Sequence, residues 1–364
     1  MRPRALLALL AVTLLALIAV AVLEHAASQR RRPGVDGTRL LPGLESSINA
    51  VTGLQLVGGG ARALVTLQRT AKGWEVAETV APADPARVRG YLLRLARARI
   101  IAGKTRDPSL YPLIGVAAID HADASGVEAR LSGLMPEPAL LIGRYDARLD
   151  GTFVRLAGHA ESLLVAGDLT PPRAPADWMP HPLLSIASDA VQAVAVSDAS
   201  GARYVVARET DGRMRVRYAP PGVQAAARRD LVADVLDGID YSAVEPGTTP
   251  PANALRARVE LRDGIIIELR LWQPAGAGAP TRALLTAQAP HGGAPSLAAR
   301  AAALAAWLQG RTWVLEPGTW SLLSGSLQPG MPMPASAASA PVAAPAAASS
   351  SAAEPSTIND GGRR

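Results

Sequence analysis

Cysteine is absent from the 364 residues of this chain. Its absence excludes disulfide bonds, thiol nucleophiles, zinc–thiolate sites and iron–sulfur clusters, although it does not indicate a compartment. Aromatic residues are also scarce, at 4% of the chain, and Phe153 is the one phenylalanine. We therefore expect no large, flat aromatic binding surface.

Lysine occurs only at Lys72 and Lys104, so the net charge of +6 comes almost entirely from arginine. The arginines are scattered among carboxylates, whereas a nucleic-acid-binding protein more often gathers its positive charge on one face or tail with interleaved aromatic residues. We expect no nucleic-acid partner. Residues 30–32, all arginine, lie just beyond an apolar segment, which favours attraction to an anionic membrane surface.

Residues 5–23 form an apolar run of 19 positions in which Thr13 is the only polar residue. As a helix the run would be about 28 Å long, close to the thickness of a bilayer core. Residues 1–32 are therefore predicted to be a transmembrane anchor with basic flanks. A cleaved signal peptide is the alternative, because Ala26 and Ala27 are small residues near a plausible cut; the length of the run favours the anchor.

The orientation of this anchor follows from its position in the chain. An N-terminal apolar segment normally acts as an export signal, and large domains that follow it cross the membrane largely regardless of charge. This predicts a single-pass protein of the inner (cytoplasmic) membrane whose body faces the periplasm. Arg2 and Arg4 nearly balance the three arginines at 30–32, so a cytoplasmic body stays open as an alternative.

Two stretches that begin at Ala50 and Ala190 carry the same order of apolar strands, glycine turns, helix and hairpin, about 140 residues apart. This duplication predicts an α+β fold of two β-rich repeat lobes, each an antiparallel meander with a packed helix. The predicted divisions are a linker at 33–49, the first lobe at 50–185, the second lobe at 186–328 and a disordered Ala/Ser/Pro-rich tail at 329–364.

The first repeat is predicted to begin with a three-stranded meander and to continue with a helix from Asp84-Pro85 that places Val88, Leu92 and Leu95 on one face. A hairpin is predicted next, from strands at 116–120 and 127–131, followed by short strands. The predicted strands outside the hairpin are 51–57, 63–70, 74–76, 140–142, 151–156 and 162–166.

The second repeat has a predicted helix from about 224 to 237, with Leu231 and Val235 inward, and a hairpin around the turn Asp263-Gly264. A further helix at 296–308 has no counterpart in the first repeat. The predicted strands are 191–196, 203–208, 213–218, 255–261 and 265–272.

Two arginine patterns have a defined geometry, one on the helix of the first repeat and one on the third strand of the second repeat. The first consists of Arg87, Arg94 and Arg97, and the second consists of Arg213, Arg215 and Arg217. A solvated surface is the simple interpretation of both. The alternative is an interaction surface for an acidic partner or for anionic lipid head groups.

Motifs that carry chemistry are weak in this sequence. Gly103-Lys104-Thr105 resembles the end of a phosphate-binding loop, but Ala98 stands where that loop needs glycine. Asp120, His121 and Asp123 could suit a divalent ion, yet they fall at a predicted turn, where aspartate bonds to nearby backbone amides. The other histidines are isolated in the sequence. We predict no catalytic, cofactor-binding or metal-binding residues.

Several short motifs resemble those of the bacterial domain-of-unknown-function 4340 family, over about residues 40–323. They are turn and core residues, and so specify a fold better than a function. The motifs are DPSLYPLIGV at 107–116, LLIG at 140–143, GTFVR at 151–155, LV at 164–165, DL at 168–169, DW at 177–178 and LL at 183–184.

The resemblance implies one N-terminal membrane segment, an extracytoplasmic body and an association with ABC transporters, because many members are encoded beside the permease and ATPase subunits of a gliding-motility-type transporter. It implies no catalytic residues. We therefore predict a non-enzymatic, membrane-anchored envelope protein, an accessory subunit of an ABC-type transport or envelope-assembly complex. The alternatives are an extracytoplasmic capture module for an anionic polymer or lipid head group, and an enzyme acting on cell-wall material, which no carboxylate or histidine pair supports.

Overall fold

The computed structural model describes residues 37–221, 225–275, 279–316, 318–325 and 327. Within these residues the chain forms two antiparallel sheets with few helices, as the predicted α+β class requires. Both sheets belong to one compact unit. The predicted membrane anchor and the Ala/Ser/Pro-rich tail lie outside the described residues. Among the described residues, no helix is long and apolar enough to cross a membrane.

The first sheet has nine strands, all from residues 53–166. They are β1 (Gly53–Gly58), β2 (Arg62–Thr70), β3 (Gly73–Val76), β4 (Ala81–Pro82), β5 (Ile100–Gly103), β6 (Val127–Ser132), β7 (Ala139–Asp146), β8 (Gly151–Leu156) and β9 (Ser162–Ala166). Their order across the sheet is β4-β3-β2-β1-β6-β7-β8-β9-β5.

The second sheet has eight strands, all from residues 191–315. They are β10 (Val191–Ser197), β11 (Arg203–Arg208), β12 (Met214–Tyr218), β13 (Tyr241–Pro246), β14 (Leu255–Leu261), β15 (Ile266–Trp272), β16 (Thr281–Gln288) and β17 (Arg311–Leu315). Their order across the sheet is β12-β11-β10-β14-β15-β16-β17-β13.

The two sheets have the same strand order once the two-residue β4 is set aside. Each begins with three strands joined by hairpins, and in each a helix then leads to a strand, β5 or β13, at the far edge. The four remaining strands fill the sheet between them. This strand-for-strand equivalence supports the internal repeat that the sequence predicts.

Six α-helices accompany the sheets among the described residues. They are α1 (Leu44–Ser47), α2 (Pro85–Arg97), α3 (Tyr111–Ile114), α4 (Ala225–Ala233), α5 (Pro295–Leu308) and α6 (Thr319–Ser324). Helix α2 begins as predicted, because the Asp84 side chain accepts hydrogen bonds from the backbone amides of Ala86 and Arg87. Helix α5 lies between β16 and β17, and no helix lies between β8 and β9, so the predicted difference between the repeats is confirmed.

One large core joins the two sheets. Their helix-bearing faces contribute buried side chains to a single cluster, which includes Val88, Leu92 and Leu95 of α2. Leu40 and Leu44, within the segment predicted as a linker, also pack into this cluster. A second, smaller cluster lies on the opposite face of the first sheet. Its members are Val57, Tyr111, Val116, Ile119, Leu141, Phe153 and Leu164.

The hairpin predicted for the first repeat is wrong in its first strand. Residues 116–120 form a loop that ends in a turn, and β6 pairs instead with β1 and β7. Val116 and Ile119 are apolar because they pack in the small cluster, not because they alternate in a strand. The short alternation of apolar and polar residues at 116–120 therefore comes from a loop that packs on the sheet, not from a strand.

The inward face predicted for α4 is also partly wrong. Val235 is buried as expected, but the Leu231 side chain is 44% exposed, whereas its neighbour Val232 is fully buried. The helix ends at Ala233 and continues as a 3₁₀ turn, Asp234–Leu236. The buried face includes Val232, Val235 and Leu236, so it begins one residue later than predicted.

Candidate functional site

A groove with a volume of about 800 Å³ lies between β12 and α4, beside the second sheet. Four arginines line it, together with the carboxylates of Asp230 and Asp234. We call it the arginine groove, after Arg208, Arg213, Arg215 and Arg229. It contains two of the three arginines that the sequence singled out on this strand.

Arg208 is the fixed member of the groove. Its Nε donates a 2.9 Å hydrogen bond to the carbonyl oxygen of Val191, and its two terminal nitrogens donate to the carbonyl oxygens of Gly212 and Ser188. These acceptors are neutral, so they hold the guanidinium in place without cancelling its charge. Arg208 thus contributes a positioned positive charge to the wall of the groove.

Arg213 and Arg215 are exposed at the opening. Arg215 forms an ion pair of 3.3 Å with Asp211, and the Arg213 backbone amide donates to the same carboxylate. The Arg213 amide and then Arg215 lower the pKa of Asp211. Across the residues that the structure describes, no carboxylate forms an ion pair with the Arg213 guanidinium, so its charge is available to a ligand.

Arg217 does not belong to the groove. Its guanidinium forms an ion pair of 3.0 Å with Glu209, which neutralises it. The register of β11 and β12 also shifts between Val205 and Val206, and β12 begins only at Met214. Arg213 therefore precedes the strand and Arg217 lies at the register shift, so that of the three arginines only Arg215 lies in the regular ladder.

Sequence reasoning missed Arg208 and Arg229. Arg208 ends β11 and lies opposite Met214 in the register, so a correct pairing of the two strands could have placed it beside the groove. Arg229 lies on α4, where it forms a loose ion pair of 3.7 Å with Asp230. No signal in the sequence indicated that this helix would lie against β12.

The three arginines that the sequence singled out on α2 contact different partners. Arg87 contacts Asp84 at 3.4 Å and donates to the carbonyl oxygen of Asp177. Arg94 lies over the ring of Tyr91, 5.4 Å from its centroid. Arg97 forms an ion pair of 3.0 Å with Glu45. They border two shallow depressions beside the helix, and the structure does not combine them into one site.

Asp120, His121 and Asp123 remain at an exposed turn, with 3.8 Å between the His121 Nε2 and an Asp120 oxygen. Over the part of the chain that the structure describes, no three His, Asp or Glu side chains are grouped so as to hold a metal ion. The Lys104 amide donates to the carbonyl oxygen of Ser162, which makes this segment an edge connection of the sheet and not a phosphate loop.

His181 is isolated in the sequence but not in the structure. Its Nδ1 is hydrogen-bonded to Asp240, 59 residues away, and its ring stacks on Tyr241 with centroids 4.4 Å apart. A histidine held by a carboxylate suggests a catalytic pair. Its Nε2, however, is 3.0 Å from the carbonyl oxygen of Ala176, so the nitrogen that would face a nucleophile is occupied. The pair joins the two repeats.

The family model of a domain of unknown function (DUF4340) matches residues 74–257, half of the chain. The chain belongs to the DUF4340 family. The matched region runs from β3 to β14 and so includes parts of both repeats. Neither a curated protein nor a solved structure matches the chain.

The DUF4340 motif at 107–116 lies in a segment that the second repeat lacks. We call residues 104–126, between β5 and β6, the insert; the corresponding connection in the second repeat is only 247–254. The Tyr111 hydroxyl lies within hydrogen-bonding distance of the carbonyl oxygens of Arg106 and Ala160, to one of which it donates, and the Arg155 guanidinium lies 4.6 Å from the centre of the Tyr111 ring. The motif thus fixes the insert to the first sheet.

Proposed function

We propose that this DUF4340 protein is a non-enzymatic, membrane-anchored envelope protein that acts as an accessory interaction subunit of an ABC-type transport or envelope-assembly complex. The observation that carries the proposal is the pair of sheets with one strand order and one shared core. The polar groups that the sequence offered as chemistry serve as turns, caps and ion pairs. Such a body presents surfaces to partners.

The anchor and the location are part of the same proposal. The apolar run at 5–23 supports a single N-terminal span in the inner membrane, and its place at the N-terminus supports a body in the periplasm. The association with a permease and an ATPase is supported by membership of the family, whose resemblance implies such neighbours.

The test is purification of the tagged full-length protein from membranes in several mild detergents, with mass spectrometry of the proteins that remain bound. A matched control replaces residues 5–23 with an unrelated membrane span of equal length. We expect an ABC permease and an ATPase with both proteins, because the lobes supply the contacts. Recovery of neither subunit in any detergent contradicts the proposal.

A second candidate function is capture of an anionic polymer or lipid head group, and the arginine groove is the observation that favours it. Arg213→Glu/Arg215→Glu is expected to weaken retention on phosphatidylglycerol vesicles by about tenfold or more, since each basic residue near a membrane contributes about 1 kcal/mol. Arg217→Gln is the control, because its charge is already neutralised by Glu209. Equal retention of the double variant and the control contradicts capture through this groove.

A further inference from the structure

The second sheet carries a row of arginines on the face that points away from the core. Ser197 of β10 lies opposite Arg203 on one side and opposite Arg256 on the other, and Arg256 lies opposite Arg270. Residues directly opposite each other in antiparallel strands point to the same side of the sheet. We call Arg203, Arg256 and Arg270 the arginine row; all three are exposed.

Arg256 and Arg270 form a like-charge pair in register. Side chains so placed have Cβ atoms about 4.5–5.5 Å apart, and two equal charges at this distance destabilise the sheet. In the part of the chain that the structure describes, neither guanidinium forms an ion pair with a carboxylate. One pair further along the same two strands, Arg258 faces Glu268 and binds it at 3.2 Å. The sheet can therefore accommodate a complementary pair, but the row lacks one.

Arg203 extends the row by two strands. Its guanidinium lies over the exposed ring of Tyr218, 4.8 Å from the centroid, which restricts its position. At about 4.8 Å between strands, Arg203 and Arg256 are about 10 Å apart and the whole row is about 14 Å long. The row is one residue wide, because the next arginine, Arg258, is neutralised by Glu268.

The same face has a different use in the first repeat. There it is apolar, with Leu141, Phe153 and Leu164 in the small cluster, and the insert packs on it through Tyr111 and Val116. The second repeat has no insert, and its strand β14 presents alternating charged residues to solvent. A face that is interior in one repeat is thus a charged surface in the other.

We propose that the arginine row binds an acidic segment of a partner protein. A carboxylate between Arg256 and Arg270 would accept hydrogen bonds from both guanidinium groups and remove their repulsion. A second carboxylate, four residues further along an extended segment, would point to the same side and lie about 13 Å away, within reach of Arg203. A single line of charge matches a linear acidic chain better than it matches the plane of a lipid surface.

The decisive variant is Arg270→Glu in the full-length protein. It replaces the like-charge pair with a complementary one, so the melting temperature is expected to rise by about 1–3 °C. Binding of a labelled decaglutamate peptide, measured by fluorescence anisotropy, is expected to weaken at least about tenfold. A residue with a merely structural role would not lose binding while it gains stability.

The controls separate the row from total charge. Arg144→Glu makes the same charge change on an exposed position of the first sheet, and Arg258→Gln/Glu268→Gln removes the neutral neighbouring pair. Both are expected to bind decaglutamate within about twofold of the wild type. If Arg270→Glu misfolds and its melting temperature falls, decaglutamate binding is measured on Arg256→Gln/Arg270→Gln instead.

The proposal is overturned if Arg270→Glu binds decaglutamate as the wild type does, or if Arg144→Glu loses as much affinity. It is also overturned if the wild type binds phosphatidylglycerol vesicles through the row but does not bind decaglutamate. The inference goes beyond the proposed function: decaglutamate binding tests the arginine row directly, whereas the detergent purification tests the transporter partners, so either can fail alone.

Discussion

Arg311, at the start of β17, donates a 2.6 Å hydrogen bond from Nη2 to the carbonyl oxygen of Val80. Val80 lies in the turn between β3 and β4 of the first sheet. The Nε of Arg311 donates to the carbonyl oxygen of Thr79, and its Nη1 donates to the carbonyl oxygen of Trp307. Burial lowers the pKa of Arg311, because removal from water disfavours the charged form. One guanidinium therefore connects the two repeats at a site where its own desolvation is partly offset by carbonyl acceptors.

Replacing Arg311 tests this connection. Arg311→Gln is expected to lower the free energy of unfolding by about 1–2 kcal/mol, since hydrogen bonds from a charged group to partly buried and exposed carbonyl oxygens are lost. Urea unfolding at pH 7 measures it. Arg300→Gln is the control, because the Arg300–Asp263 pair is largely exposed and should change stability by less than about 1 kcal/mol. Similar losses in the two variants would show that Arg311 is no special connection.

Two glycines make a matched pair of substitutions. A Cβ on Gly143 would lie 2.2 Å from the carbonyl oxygen of Ile114, where the insert touches β7, whereas a Cβ on Gly90 of α2 would meet nothing within 4 Å. Gly143→Ala is expected to destabilise the protein by about 2–4 kcal/mol, as a core overpacking does. Gly90→Ala is expected to stabilise it by about 0.5–1 kcal/mol. Thermal unfolding of both variants measures this, and an unchanged Gly143→Ala protein would mean that the insert is not tightly seated.

Tyr91 and Tyr241 predict how stability changes at alkaline pH. Burial raises the pKa of both hydroxyls, and Asp240 raises that of Tyr241 further. Because the folded pKa exceeds the unfolded value of about 10, this contribution to stability is complete below about pH 10 and is lost as the pH rises towards the folded pKa.

Urea unfolding at pH 8, 10 and 11 tests the two tyrosines. Tyr91→Phe/Tyr241→Phe is expected to be less stable than the wild type at pH 8, by about 1 kcal/mol for each lost hydrogen bond, and to decline less above pH 10. Tyr218→Phe, at an exposed position, should retain the wild-type slope. An unchanged slope in the double variant would contradict the assignment.

Glu245 gives the corresponding prediction for acid. Arg282 binds it through two hydrogen bonds of 2.8 Å and thereby lowers its pKa. A lowered folded pKa means that the stabilisation is present above the ordinary glutamate pKa and is lost as the pH falls through the folded value. Glu245→Gln should cost about 0.5–1 kcal/mol at pH 7, because the pair is partly exposed, and this cost should shrink as the pH falls through the folded pKa of Glu245. A difference that is constant with pH would contradict this.

The sequence predicted the strands best where the residues alternated strictly around a well-defined turn. The strands at 203–208 and 255–261 agree with the structure. Asp263-Gly264 sets the hairpin that joins the second of them to β15, and one face of that strand is fully buried. The strand prediction failed at 116–120, where the apolar residues belong to a loop that packs on a sheet. The predicted phase of α4 failed at Leu231, because Val232 and Leu236, one position later than the predicted pair, are the fully buried residues.

The site could be predicted only in part. The alternation in the sequence indicated Arg213 and Arg215. Arg208 lies in the groove because of the register between β11 and β12, and Arg229 lies there because α4 packs against the edge strand β12. The contact of His181 with Asp240 joins elements 59 residues apart. Contacts of this kind depend on tertiary structure, which no local pattern in a single sequence specifies.

The strand order also determines the order in which the strands can pair while the chain is being synthesised. Ile100 of β5 pairs with Val165 of β9, and β9 is the last strand of its sheet to be synthesised. The edge strand β5 can therefore pair only after about 65 further residues are made, and β13 depends in the same way on β17. All strands of the first sheet precede Val191, so that sheet can close while the second is still being made. The strand that closes the second sheet begins with Arg311, so the guanidinium that joins the repeats is delivered by the last strand to arrive.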